Sequence, residues 1–387
     1  MKDTVRFGII GLGNMGSAHF RSFLERKIPR GEVKAVCDIK ENRLDWAKEK
    51  MGDNVACFSD AGELISSGLV DAVLIATPHY FHPVYAVEAL KAGLHVLVEK
   101  PAGVYTKQVM VMNAEAQKRP ELVFGIMLNQ RTNPVYKKAH DLVKAGELGE
   151  IKRVNWIITG WYRTQAYYDS GEWRATWAGE GGGVLMNQSP HQLDLLQWIC
   201  GMPRRVRAFC YEGKFHDIEV EDDVTTFLEY ENGASGVFVT STGDTPGTNR
   251  LEILGDRGKI IVDDGRLEFW SLKESEREFC RRSTDGFAVP ETWKCDVPVV
   301  GDDLQHVGIF NDFVNAVLDG TDLIADGREG IRSVELANAM YMSSWTGDFV
   351  SIPVDSEKYY DMLQDKIKNS SYKKNVNEQV ADLEGTF

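Results

Sequence analysis

The stretch Phe7-Gly8-Ile9-Ile10-Gly11-Leu12-Gly13-Asn14-Met15-Gly16 sets the tightest limit on how this chain can fold. A strand-like run, Val5 to Ile10, leads into Gly11-x-Gly13-x-x-Gly16, and a helical pattern follows from Ser17. Strand, glycine turn and helix in that order make a dinucleotide-binding fingerprint. Gly11 permits the tight turn, Gly13 leaves room for a pyrophosphate, and Gly16 lets the helix pack close to the strand. Phosphates would rest on backbone N–H groups at the positive end of the helix, with Asn14 and Met15 in the same turn. A second strand, Glu32 to Cys37, ends at Asp38. A carboxylate there can accept from both ribose hydroxyls and would repel a 2′-phosphate, so NAD is expected in preference to NADP.

The chain of 387 residues is long for one core, so two domains are expected. Residues 1–128 alternate strand-like and helix-like segments, the pattern of a parallel sheet covered on both faces. Three of the strands run into Thr77-Pro78-His79, Glu99-Lys100-Pro101 and Asn129-Gln130-Arg131. Beyond residue 129 a helix, Pro134 to Lys144, precedes seven alternating strands between 151 and 270. Hairpin signals such as Glu231-Asn232-Gly233 favour a largely antiparallel sheet. Helical patterns return at about 303–319 and 329–347. The expected fold is α/β: a nucleotide-binding domain over 1–128, a second α/β domain over 129–355 with an open sheet, and a polar extension over 356–387. That extension reads either as a loose tail or as an arm onto a neighbouring subunit.

The formal net charge of −14 argues against nucleic acid and anionic membranes as partners. No apolar run approaches the length of a membrane span, and the N-terminus leads straight into the first strand with no room for a signal peptide. The six cysteines show neither a Cys-x-x-Cys pair nor a metal-ligand rhythm, so reduced thiols, no metal and a cytoplasmic location are expected.

Three motifs follow in order: Gly11-x-Gly13-x-x-Gly16, Glu99-Lys100-Pro101, and Gly181-Gly182-Gly183-x-Leu185-x-Asn187-x-x-x-His191-x-x-Asp194. Together they resemble the glucose–fructose oxidoreductase / inositol dehydrogenase family (Gfo/Idh/MocA), over almost the whole chain. The resemblance implies a Rossmann domain followed by an α/β domain whose open sheet often forms the subunit contact, hence a homo-oligomer (dimer, tetramer or hexamer). It also implies NAD(P)-dependent oxidation or reduction of a secondary alcohol on a small carbohydrate or cyclitol. Lys100 is catalytic in the family, and its bond to Pro101 is often cis.

Lys100 follows a parallel strand, where ligands of such sheets bind. Desolvation beside a nicotinamide would lower its pKa and suit it to proton transfer. His191, near a helix start after Ser189 and Pro190, can accept a hydroxyl proton as a neutral imidazole. Asn187 departs from the family pattern, which often has Asp there. An amide cannot act as a base, so Asn187 is expected to orient substrate. The resemblance places Thr77, Pro78 and His79 against the nicotinamide side of the cofactor, with Glu99 and Asn129 also on the cofactor side. His82 either joins them or caps the next helix. Arg131 reads equally as a ligand contact or an interdomain ion pair. Trp161, Arg163, Tyr167, Tyr168 and Trp173 occupy a strandless stretch before the glycine motif, and rings with guanidinium donors suit a polyhydroxylated ring; Trp156, on a strand, reads as core. The expected activity is dehydrogenation of a sugar, glycoside or cyclitol. The alternative is an NAD-dependent glycosidase or lyase that oxidises the sugar transiently with no net redox change.

Overall fold

Consecutive apolar residues make the N-terminal strands a sheet buried on both faces. In this computed structural model, which describes residues 3–370, 372 and 376, that sheet has six strands. They are β1 (Val5–Ile10), β2 (Gly31–Cys37), β3 (Ala56–Phe58), β4 (Ala72–Ile75), β5 (His95–Val98) and β6 (Phe124–Ile126). All are parallel, in the order β3-β2-β1-β4-β5-β6. The order reverses beside β1, which opens a crevice at the strands' carboxyl ends. The Gly11 turn, Thr77-Pro78-His79, Lys100 and Asn129 all leave the sheet at that edge.

The second sheet has nine strands: β7 (Ile151–Ile158), β8 (Arg205–Glu212), β9 (Glu221–Glu229), β10 (Ser235–Ser241), β11 (Asn249–Gly255), β12 (Gly258–Asp263), β13 (Arg266–Leu272), β14 (Thr292–Cys295) and β15 (Val350–Ser351). Their order is β14-β13-β12-β11-β7-β10-β9-β8-β15. Every pairing is antiparallel except that of β7 with β10. Alternation sets the two faces. Val224, Thr226 and Leu228 point inward, while Thr225 and Phe227 face out. Trp156 is fully buried, its indole N–H donating to Asn249 Oδ1 (3.2 Å), as its place on a strand suggests. The outer face carries Phe209, Tyr211 and Phe227 exposed. Among the described residues, no helix is long and apolar enough to cross a membrane.

Several elements differ from the sequence reading. The first helix begins at Asn14, three residues early, because Gly13 is its N-cap. Short elements at Ala61–Ser66, Glu276–Arg282, β14 and β15 were too brief for their periodicity to show. The stretch expected to be irregular contains a one-turn helix, Gln165–Asp169. The helix Gln305–Asp319 packs on the first sheet rather than the second: Phe7 meets Phe310 at 6.0 Å and Phe313 at 5.9 Å between ring centres. The first core thus draws on residues well beyond 128.

The polar extension is also not simply a tail. Ser356–Asn369 forms a helix capped by Asp355, whose carboxylate accepts from Lys358 N (3.0 Å). Its apolar stripe buries Tyr359 and Leu363 in the second core, which polar neighbours on every other face had concealed. Most of the rest of the extension lies outside the described residues. Removing the Leu363 side chain (Leu363→Ala) is expected to cost about 2–5 kcal/mol in chemical denaturation. Lys368→Ala, on the exposed side of the same helix, should be silent.

Candidate active site

Gly11 has φ +94°, and a Cβ on Gly16 would stand 1.8 Å from Gly11 O, so strand and helix meet here only without side chains. A Cβ on Gly13 would meet nothing within 4 Å, which leaves open space over the turn. No side chain caps the helix, so its first N–H groups, including those of Asn14 and Met15, are presented to whatever occupies that space. Asp38 accepts from Leu12 N (2.7 Å) and Lys40 N (2.9 Å), and a carboxylate with about four acceptor sites keeps capacity for ribose hydroxyls. Two buried oxygens on the same edge, Thr77 Oγ1 and Asn129 Oδ1, have no partner. Open space, a helix N-terminus, an acidic group and orphaned polar atoms fit a dinucleotide.

Lys100 sits one residue past the end of β5's hydrogen-bonded run, and its peptide bond to Pro101 is cis. Its ammonium donates to Asn187 O (2.8 Å). Desolvation lowers its pKa below the usual lysine value, Glu99 and Glu180 oppose that, and Arg174 and Arg163 reinforce it. Beneath it, Glu99 is buried with both oxygens engaged: His19 Nε2 lies 2.5 Å from Oε1, and the Lys100 backbone N–H donates to Oε2 (3.0 Å). Burial works to raise the Glu99 carboxyl, but the His19 hydrogen bond, with His306 and Lys100, outweighs it and holds the group at about 2.

His191 is 6% exposed, and its Nδ1 has no hydrogen-bond partner. Burial first, then the Lys100 charge, pushes its pKa well below the usual value, so the ring is neutral at pH 7. An unpaired buried nitrogen beside an amine is the arrangement a hydroxyl can complete. Asn187 Nδ2 donates to Glu180 Oε1, which fixes the orientation of its amide. His79 is buried, with Nδ1 3.1 Å from Glu180 O and its ring edge-on to Trp173 at 5.5 Å. Desolvation, then His82 and Lys100, keep it neutral too.

The aromatic stretch forms a wall. Arg174 lies over the rings of Tyr167 (4.6 Å) and Trp173 (4.8 Å) and donates to the Tyr167 hydroxyl (2.8 Å), and Arg163 also covers Tyr167 (5.2 Å). Gln188 Nε2 donates to the same hydroxyl (3.1 Å), while its Oε1 is buried without a partner. Trp161 packs against the second core with its buried N–H unpaired.

Two expected contacts, Tyr168 and Glu99, are corrected by these positions, and the two-way readings of His82 and Arg131 fall on the structural side. Tyr168 is 2% exposed and its hydroxyl is bonded to Thr242 (2.7 Å), so it backs the wall from inside the core. His82 has both nitrogens at carbonyls, Pro101 O and Thr77 O (2.7 Å each), and pins two turns together rather than meeting a cofactor. Glu99, 3% exposed, is held beneath Lys100 by His19 and the Lys100 backbone N–H and braces that turn. Arg131 is 1% exposed and forks onto Asp194 (2.8 and 2.7 Å), with Glu329 at 2.5 Å and Ile324 O at 3.0 Å. That is the ion-pair alternative, and it also accounts for Asp194 in the third motif.

Sequence reading missed His19, Glu180, Gln188 and His306. Glu180 directly precedes the three glycines and Gln188 lies inside that motif, so proximity was a usable signal. His19 and His306 reach Glu99 only through the fold, their rings 5.2 Å apart. Among the described residues, no cluster of side chains could hold a metal ion.

Fold and site together point to an oxidoreductase with a Rossmann domain followed by a second α/β domain. Residues 5–125 match the oxidoreductase family with an NAD-binding Rossmann fold, and residues 136–261 match the GFO/IDH/MocA C-terminal domain. The chain belongs to the GFO/IDH/MocA family. It is 29% identical over 269 residues to the myo-inositol 2-dehydrogenase of Thermotoga maritima, covering 68% of this chain and 76% of that one. It is 24% identical over 382 residues to the D-glucoside 3-dehydrogenase of Escherichia coli, covering 90% and 97%. The WlbA dehydrogenase of Bordetella pertussis, solved with NADH and UDP-GlcNAcA, superposes with a TM-score of 0.77 at 26% identity, over 91% of this chain and 98% of that one.

Because Arg131 neutralises a buried carboxylate, Arg131→Ala is expected to destabilise by about 3–5 kcal/mol in denaturant titration. Fluorescence titration should show NAD affinity unchanged under native conditions. A large loss of affinity in a stable variant would return Arg131 to the binding site.

Proposed function

We propose that this chain is an NAD-dependent dehydrogenase that oxidises a secondary hydroxyl of a sugar, glycoside or cyclitol. The observation that carries this reading is the half-buried Lys100 ammonium at the sheet's carboxyl edge. It lies on the Asn187 carbonyl and within electrostatic reach of the unpaired His191 ring. Support also comes from relatives named for an inositol and a glucoside, and from a wall of Trp173, Arg174 and Tyr167 matched to C–H faces and hydroxyls.

Gly11, Gly13, Asn14 and Met15 would carry the pyrophosphate, Asp38 the adenosine ribose, and Thr77 with Pro78 and His79 the nicotinamide side. The bound dinucleotide supplies the acceptor for the hydride that leaves the carbinol carbon. The remaining proton leaves the hydroxyl oxygen, and the chain must take it. Neutral Lys100 receives it on Nζ, the more basic of the two nitrogens, while His191 holds the oxygen by a hydrogen bond. Asn187 fixes Lys100 through its carbonyl. Alcohol, oxidised cofactor and free amine thus become ketone, reduced cofactor and ammonium.

Lys100→Ala is expected to lower NADH formation by about 10²–10⁴-fold on a panel of myo-inositol, glucose and methyl glucosides, with NAD binding retained. Unaltered turnover would remove Lys100 from the reaction. In the parent enzyme, the oxidation rate should rise with pH through a midpoint below the ordinary lysine value, since Lys100 is needed deprotonated and its pKa is lowered. No limb is expected near pH 6.5, about the free histidine value, because His191 is already neutral there.

The preference for NAD rests on Asp38. Asp38→Ser should weaken NAD by at least about tenfold, the cost of one charge-assisted hydrogen bond, and should relieve the exclusion of NADP. Equal use of both cofactors before substitution would contradict the assignment.

A further inference from the structure

An ammonium held partly out of water keeps its proton only if a negative charge faces it. The amide at 187 carries none. Two carboxylates lie within electrostatic reach of Lys100, Glu99 and Glu180. Glu99 lies beneath the amine on Lys100's own turn, where it holds His19 and the Lys100 backbone N–H. Glu180 comes from the second domain. It is 2% exposed, one oxygen accepts from Asn187 Nδ2, and the other accepts from Ala175 N (2.5 Å). Ala175 adopts φ +52°, a left-handed conformation unfavourable for a residue with a Cβ, so the backbone bends to bring its N–H to this carboxylate. The Glu180 carbonyl also meets His79. One residue thus joins the glycine loop, Asn187 and His79 around the amine.

We propose that Glu180 is the positioning carboxylate of this site, fixing Asn187 with one oxygen and adding to Glu99 a second counter-charge for Lys100, the one that the amide at 187 cannot supply. The proposal rests on the dehydrogenase reading for its purpose, since it gives the proton acceptor its charge balance, but its test does not require turnover. The other groups near Lys100 are Glu99 and the cations Arg174 and Arg163, with four histidines, His79, His82, His191 and His306, whose lowered pKa values leave them neutral at pH 7. Glu180 is therefore the one carboxylate there that is linked to the amine through Asn187.

The test measures Lys100 directly. Competitive acylation of the full-length protein with acetic anhydride across pH, read by peptide mass spectrometry, gives the midpoint at which the Lys100 amine becomes reactive. Glu180→Gln keeps shape and removes charge, and should move that midpoint down by about one pH unit or more. The double variant Glu180→Gln/Asn187→Asp returns the charge to the other side of the same hydrogen bond and should move it back. An unmoved midpoint in Glu180→Gln overturns the proposal, as does a shift that Asn187→Asp fails to reverse. If Glu180→Gln does not fold, Glu180→Asp, with the carboxylate drawn back, should shift the midpoint in the same direction by less, and no shift there also overturns it. Failure of the sugar and cyclitol panel to yield NADH would count against the dehydrogenase reading alone, while the acylation midpoints still decide Glu180.

Discussion

The hydrogen bond on which this site depends runs between its two halves: the Lys100 ammonium, at the carboxyl edge of the first sheet, donates to the Asn187 carbonyl of the second domain. Everything near it can be understood from the cost of leaving a cation there. Burial drives the amine towards its neutral form, carboxylates below and beside it restrain that drift, and two guanidinium groups press the other way. The outcome is an amine that gives up its proton more readily than an ordinary lysine, which is the direction a proton acceptor needs.

The same electrostatic logic separates residues that react from residues that hold. Arg131, Asp194 and Glu329 form a buried charge set whose members satisfy one another, and such a set gives its surroundings a fixed shape. His82 is likewise held between two carbonyls, and Glu99 between His19 and a backbone amide. By contrast, His191 Nδ1, Thr77 Oγ1, Asn129 Oδ1 and Gln188 Oε1 are buried and unpaired. Buried polar groups normally find partners, so these four have hydrogen-bonding capacity that the held residues lack.

Local order was legible where the chain's chemistry is local. The glycine turn, the buried parallel strands and the alternating strands of the second sheet each follow from side chains within a few residues, and each formed as read. The Asn187–His191 motif likewise placed its residues at the amine. What could not be read needed distances that sequence does not carry. Arg131 stayed open between ligand contact and ion pair because its partners, Asp194 and Glu329, come from remote segments. The helix Gln305–Asp319 was recognisable, but not that Phe310 and Phe313 pack beneath β1. Tyr168 and Tyr167 are adjacent in the chain, yet one is buried in the core and the other half-buried under Arg174, a difference set by the short helix that carries them. Glu180 had a signal in its place directly before the glycines, but its partners Asn187 and Ala175 N show only in the fold.

The central claim is that substrate hydroxyl, Lys100 and His191 meet at the edge where β1, β4 and β5 end. The most direct measurement is a crystal structure of the protein with NADH and a methyl glucoside or inositol bound. The account requires a ring hydroxyl about 3 Å from Lys100 Nζ and facing the His191 ring, with the nicotinamide beside Thr77. A sugar ring seated elsewhere, with the Lys100 ammonium still closed onto Asn187 alone, would contradict it.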